Sequence, residues 1–156
     1  MEILNYSKDK MGEDIVQLFK EIYPNEPMEH IMRAAYDEGS PLHVVTKVAI
    51  VDDRIVGQAN IFYLQHNKTM ANIGFHVHPK YQRQGIGRTL ASKAMKEAKE
   101  KGIRIIVVQT ERDNSAGVQL AEALGFSEVS KVFIDENANG LKLCRLKNGI
   151  VLKKEI

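Results

Sequence analysis

The chain has one cysteine, no tryptophan and no apolar run long enough to cross a bilayer. A lone Cys144 cannot form an internal disulfide, so nothing argues for an oxidising compartment, and a buried, inert thiol is the reading that fits it. The opening residues MEILNYSKDKMGED lack both the basic start and the apolar stretch of a secretion signal, so a cytoplasmic location is expected. Charge of one sign is missing as well. The 22 basic and 20 acidic residues leave a formal net charge of +2, too balanced for a protein that neutralises many nucleic-acid phosphates. Any bound anion is therefore expected to be small, with neither nucleic acid nor membrane as partner. There is also no Pro/Gly/Ser-rich linker, no internal repeat and no low-complexity segment. With 156 residues, 44% hydrophobic and 27% charged, one globular domain over 1–156 is expected.

What is present alternates between two periods. Ile3 to Tyr6 predicts a short strand, and Ile15, Leu18, Phe19 and Ile22 recur at helical spacing until Pro24 stops the pattern. A weaker helix is predicted from Met28 to Glu38, ending near Gly39. HVVTKVAIVDD and IVGQANIFYLQ, parted by Asp52-Asp53-Arg54, predict a hairpin, and TMANIGFHVHP a third strand. From Ile86 to Lys101 the residues Ile86, Leu90, Ala94, Met95 and Ala98 line one helical face, closed by Gly102. IRIIVVQT is the continuous apolar run of a strand buried on both faces, and a strand–helix–strand order predicts a parallel pair. SAGVQLAEAL predicts a helix closed by Gly125. EVSKVFID and LKLCRL predict later strands, the second able to pair across a homodimer, and a last strand follows Asn148-Gly149.

Between the third strand and the long helix lies HPKYQRQGIGRTL. The first N–H groups of a helix lack internal partners and carry partial positive charge, and glycines let a backbone approach phosphate oxygens closely. A Walker loop is excluded because Gly85 and Gly87 are too close and no lysine follows. A dinucleotide fingerprint is excluded because Leu90 stands where the third glycine belongs. What remains is Q-x-x-G-x-G, formed by Gln82, Gly85 and Gly87.

This motif resembles the pyrophosphate-binding motif of the GNAT superfamily, the acyl-CoA-dependent N-acyltransferases. A second family motif, an Asn followed by a short helix ending in Gly-Phe, is matched at Asn114 and at Gly125-Phe126. The order of elements is similar over essentially the whole chain. The resemblance implies an α/β (α+β) fold: a mixed, mostly antiparallel central sheet with two splayed central parallel strands, flanked by about four helices. It implies acetyl-CoA as acyl donor and an amine acceptor; no metal is expected, on the count of ligands alone. By motif match, Val77 bonds the pantetheine arm through its backbone, while Gln82, Arg83, Gln84, Gly85, Ile86, Gly87, Arg88 and Thr89 surround the pyrophosphate. Lys80 and Lys93 stand near enough in sequence to meet further phosphates or to form a solvated face. Asn114 matches a pantetheine contact and is equally suited to cap the following helix.

The reaction so implied requires deprotonation of an amine and protonation of a leaving thiolate. Many family members carry a Tyr four residues before the Gly of Gly-Phe for the second task; here that residue is Ala121. An ordered water, another side chain or loss of activity remain, and the last motivates an alternative, a non-catalytic acyl-CoA-binding or sensing module. Candidate bases are His76, His78 and Glu111; Gln109 stands where certain N-terminal acetyltransferases carry a Glu. His76 and His78, two apart on a strand, also suit a metal pair, although no third ligand stands at diagnostic spacing. Tyr36 and Tyr63 are candidates for the acceptor pocket, and Glu26, Glu29, Asp37 and Glu38 for attracting a cationic amine.

Overall fold

The computed structural model describes residues 1–36, 40–64, 67–141 and 148–156, leaving out the side chains of 33–36. The strand readings at LKLCRL after Leu141, Cys144, the side chain of Tyr36, Asp37 and Glu38 lie outside the described residues. The order is β1 (Glu2–Asn5), α1 (Lys8–Ile22), α2 (Met28–Tyr36), β2 (His43–Val51), β3 (Arg54–Leu64), β4 (Asn67–Val77), a 3-10 turn (Pro79–Tyr81), α3 (Ile86–Glu100), β5 (Ile105–Glu111), α4 (Ser115–Ala123), β6 (Ser127–Glu128), α5 (Lys131–Glu136) and β7 (Gly149–Glu155). The sheet order is β1-β2-β3-β4-β5-β7-β6, antiparallel throughout except for the parallel β4–β5 pair.

Local chemistry explains the boundaries. Asp52 and Asp53, both at positive φ (49° and 60°), make the two-residue turn whose twist suits the β2–β3 hairpin. At the end of α3, Gly102 (φ 93°) donates to Lys99 O and Ile103 donates to Ala98 O, satisfying two terminal carbonyls. The end of α4 repeats the device: Gly125 (φ 93°) donates to Glu122 O, and the buried Phe126 donates to Ala121 O. The Gly-Phe pair is thus a helix stop whose Phe anchors in the core.

Alternation along the strands separates two faces. Ala71 and Ile73 of β4 and Ile106 and Val108 of β5 meet Leu90, Ala94 and Ala98 of α3 and Ala121 of α4 in the main core. On the other face Val48 of β2 meets Ile15, Leu18 and Phe19 of α1, while Met70 and Val107 meet Leu141, with Phe133 and Ile134 of α5 packed against them. The five residues expected to line one face of α3 are all buried, and Ile106, Val107 and Val108 confirm a strand covered on both sides. No helix of the described residues is long and apolar enough to cross a membrane.

One prediction fails. Of EVSKVFID only Glu128 lies in a strand, the two-residue β6, and Lys131–Glu136 is a fifth helix. Its β-branched residues favour a strand locally, but Ser130 caps the turn by accepting from Phe133 N at 3.2 Å. Helical winding then sets Phe133 and Ile134 against the third cluster, beside Val129.

Candidate active site

β4 and β5 pair only at Met70–Ile105, Ala71–Ile106 and Asn72–Val107, yet β4 continues to Val77 and β5 to Glu111. The two strands therefore part, and Gln109 Nε2 marks the fork by donating to Asn72 Oδ1 at 2.8 Å. His78 N donates to Val56 O, so His78 faces β3, and backbone alternation turns the N–H and C=O of Val77 toward the opening. Gln82 Nε2 reaches back to that carbonyl at 3.0 Å, pinning the loop to the end of β4. The opening is a groove of about 490 Å³ that runs from Tyr23 and His76 past Phe75 and Val77 to the start of α3, with Asn114 and Leu120 on its other wall.

At the α3 end, Arg83 (φ 60°) and Gly85 (φ 81°) both take the left-handed conformation that turns the chain into the helix. Gly85 is the N-cap and brings no capping side chain, so the first-turn amides of Ile86, Gly87 and Arg88 lack a helical partner, and these residues line the groove. Gly87 also lets α3 lie close to α4: a Cβ there would stand 2.9 Å from Leu120 Cδ2, and that side chain would have to shift. Gln82, Arg83, Gly85, Ile86, Gly87 and Arg88 line the groove together with Val77 and Asn114. Gln84 and Thr89 are not among the lining residues. Gln84 Nε2 donates to Lys80 O at 3.5 Å, and Thr89 Oγ1 donates back to Gly85 O at 2.9 Å. Lys80 and Lys93 are exposed outside the lining. Asn114 caps α4, its Oδ1 accepting from Gly117 N at 3.2 Å while its Nδ2 donates to Thr110 Oγ1 at 2.9 Å.

At the other end, His76 Nδ1 lies 2.8 Å from Tyr23 Oη, and the imidazole packs edge-on against Phe19 with ring centroids 5.0 Å apart. Desolvation pushes the half-buried His76 down to about 4, so it is a neutral imidazole at neutral pH. Desolvation, followed by the nearby Glu26 carboxylate, raises the Tyr23 phenol above its ordinary value. His78 is drawn elsewhere. Its Nε2 contacts Glu21 Oε2 at 2.8 Å and its Nδ1 accepts from Lys80 N at 3.1 Å, so the two histidines do not share a partner. Glu21 also pairs with Arg54, and its carboxyl is lowered, first by a hydrogen bond from Gln17. Among the described residues no three His, Cys, Asp or Glu side chains gather as a metal would need. Glu111 is exposed at the end of β5 and does not line the groove. Ala121 is fully buried in the main core, and Tyr63 packs against the same core.

Tyr23 is the residue that reading the sequence overlooks. It stands 53 positions from His76, just past α1, and only the packing of α1 on the sheet brings the two together.

The comparisons agree with this geometry. Over 62 residues the chain is 37% identical to ribosomal protein bS18-alanine N-acetyltransferase of Escherichia coli K12, a stretch covering 40% of each chain. Over 51 residues it is 39% identical to L-amino acid N-acyltransferase MnaT of the same organism, covering 33% of this chain and 30% of that one. The matched stretches thus span less than half the length of these curated relatives. Among solved structures, ribosomal-protein-alanine N-acetyltransferase from Brucella melitensis superposes with a TM-score of 0.76 at 18% identity over 100% of both chains. An aminoglycoside 6'-N-acetyltransferase complexed with coenzyme A superposes with a TM-score of 0.75 at 17% identity, covering 99% of this chain and 97% of that one. At such identities the structures share the fold. The model of the acetyltransferase (GNAT) family matches residues 10–126, well over half of the sequence, and the chain belongs to that family.

Proposed function

We propose that this chain, as a single domain in the cytoplasm, transfers an acetyl group from acetyl-CoA to an amine of a small molecule or a protein. The observation that carries this reading is the groove between the parted strands, continuous with the uncapped start of α3. The residues fit the donor. The amides of Ile86, Gly87 and Arg88, flanked by the Arg83 and Arg88 side chains, suit a pyrophosphate, and the gap-facing N–H of Val77 suits the amide of a pantetheine arm. When bound, acetyl-CoA supplies a thioester, an acyl carbon that a neutral amine can attack. The names of the relatives support an amine acceptor: alanine of a ribosomal protein for one, an L-amino acid for another. A Salmonella typhimurium neighbour of the same fold was solved with acetyl-CoA.

Ala121 favours a second reading, an acyl-CoA-binding module without chemistry, because a buried methyl group replaces the hydroxyl that many family members carry there. One experiment separates the two. Acetyl-CoA is expected to raise the melting temperature while ATP and NAD do not, and free thiol is expected only when an acceptor from a panel of amino acids, peptides, polyamines and aminoglycosides is added. Stabilisation without turnover on any acceptor would select the binding module. No stabilisation at saturating acetyl-CoA would remove both.

A further inference from the structure

Ala121 leaves the groove without a proton donor on α4, and the α4 residues lining it, Ala116, Gly117, Gln119 and Leu120, include no titratable side chain. A donor stands on the opposite wall. Tyr23 follows the last turn of α1, where its N–H bonds Phe19 O at 2.8 Å and its ring stacks on Phe19 at 6.1 Å between centroids. His76 crosses Tyr23 edge-on at 5.7 Å and touches the phenolic oxygen, and both residues line the groove beside Phe75 and Val77. The phenol is held from two sides yet remains open, with Tyr23 39% exposed.

We propose that Tyr23 is the general acid of this site and that His76 is its positioning residue. The inference rests on the acetyl-transfer reading. In the Nδ1–H tautomer His76 donates to Tyr23 Oη, which leaves the phenolic proton free to point into the groove. As the acceptor nitrogen, already a free amine, forms its bond to the acyl carbon and the C–S bond breaks, Tyr23 gives its proton to the sulfur. The phenolate then takes back the surplus proton of the newly acylated nitrogen, so the residue ends the cycle unchanged and no other reactant is consumed. The charged groups around the pair suit this role. Glu26 favours the protonated phenol, Glu21 and His78 are engaged with each other, and Arg83 and Arg88 lie toward the pyrophosphate end. Gln58, paired with His76 across β3 and β4, is uncharged. A raised phenol keeps its proton through neutral pH, as a donor must.

The test uses the full chain with Tyr23→Phe, His76→Gln and His76→Phe. Tyr23→Phe is expected to lower kcat about 100-fold, to leave the acetyl-CoA Kd within about twofold, and to abolish the alkaline limb of the kcat profile. His76→Gln, whose amide can still donate, should retain more activity than His76→Phe. A second readout needs no turnover. In the donor-free protein, the phenolate absorbance missing from Tyr23→Phe isolates this one phenol, and His76→Phe should move its titration to still higher pH, because the phenolate loses a donor. A downward move would mean that the Tyr23 proton is bound to His76, and would overturn the assignment. So would wild-type kcat in a folded Tyr23→Phe protein. Failure of acetyl-CoA to bind the wild type would defeat the acetyl-transfer reading itself, a result visible before any variant is made.

Discussion

The two ends of the groove are built on different principles. The α3 end is backbone: three amides, a left-handed Gly85 and the small Gly87, all within a few consecutive residues. The Tyr23–His76 end is side chains from two distant elements, fixed by the packing of α1 against β4. A backbone anion site needs only local sequence and is therefore insensitive to what the rest of the fold does with its side chains. A proton-handling pair needs tertiary contact, desolvation and a free proton at once, and can be rebuilt from another element when one position, here Ala121, falls silent.

The largest effect is expected of Gly85→Glu. A Cβ at Gly85 meets nothing within 4 Å, so a side chain has room to leave the backbone there, although φ of 81° imposes roughly 1–2 kcal/mol of backbone strain. Its carboxylate would stand where the first-turn amides await an anion and would repel a pyrophosphate by about 3 kcal/mol, close to two powers of ten in Kd. Calorimetric titration with acetyl-CoA checks this, and the Tyr23 titration in the same variant should be unmoved. Wild-type affinity in a folded Gly85→Glu protein would mean that the anion end lies elsewhere.

The other end should announce itself in stability against pH. His76 titrates near 4 when folded and near its ordinary 6.5 when unfolded, so between those values the unfolded chain binds more protons. Stability attributable to His76 is therefore intact above about pH 6.5 and falls as the pH drops toward 4, by roughly 2 kcal/mol once the partial exposure of the ring is allowed for. The lowered Glu21 and Glu97 carboxyls act in the same direction, but only below their ordinary value of 4.5. Urea unfolding across the upper window should show the slope in the wild type and a flatter line in His76→Phe. An equal slope in both would show that His76 is not buried neutral.

How much of this was legible follows from the same division. The hairpin at Asp52-Asp53, the helix from Ile86, the doubly covered strand at 105–111 and the glycine loop are written in neighbouring residues, and each stands where the sequence predicts it. Lys131–Glu136 departs from the predicted strand because β-branched composition speaks louder locally than a single serine cap whose value depends on the cluster its helix reaches. The motif match assigns Gln84 and Thr89 to the pyrophosphate loop, whereas their side chains turn back to the chain, Gln84 to Lys80 O and Thr89 to Gly85 O. Glu111 was a plausible base by position, but the structure leaves it exposed outside the groove. Nothing near Tyr23 in the chain hints at His76, since the contact exists only after α1 docks.

The smallest effect tests the one residue that belongs to both principles. Asn114 serves the fold by capping α4, and its amide lines the groove beside Gly117, where a Cβ would come within 2.6 Å of Nδ2. Asn114→Ala should cost about 1 kcal/mol of stability through the lost cap, whereas Asn114→Ser, which keeps a capping oxygen, should recover most of it. Neither variant can offer the second N–H of the Nδ2 group, the first being given to Thr110 Oγ1. If that N–H meets the donor, both variants should weaken acetyl-CoA binding about fivefold, the worth of one ordinary hydrogen bond, while differing in urea midpoint. Affinity that recovers along with stability in Asn114→Ser would assign the residue to the fold alone and leave the pantetheine arm to the backbone of β4.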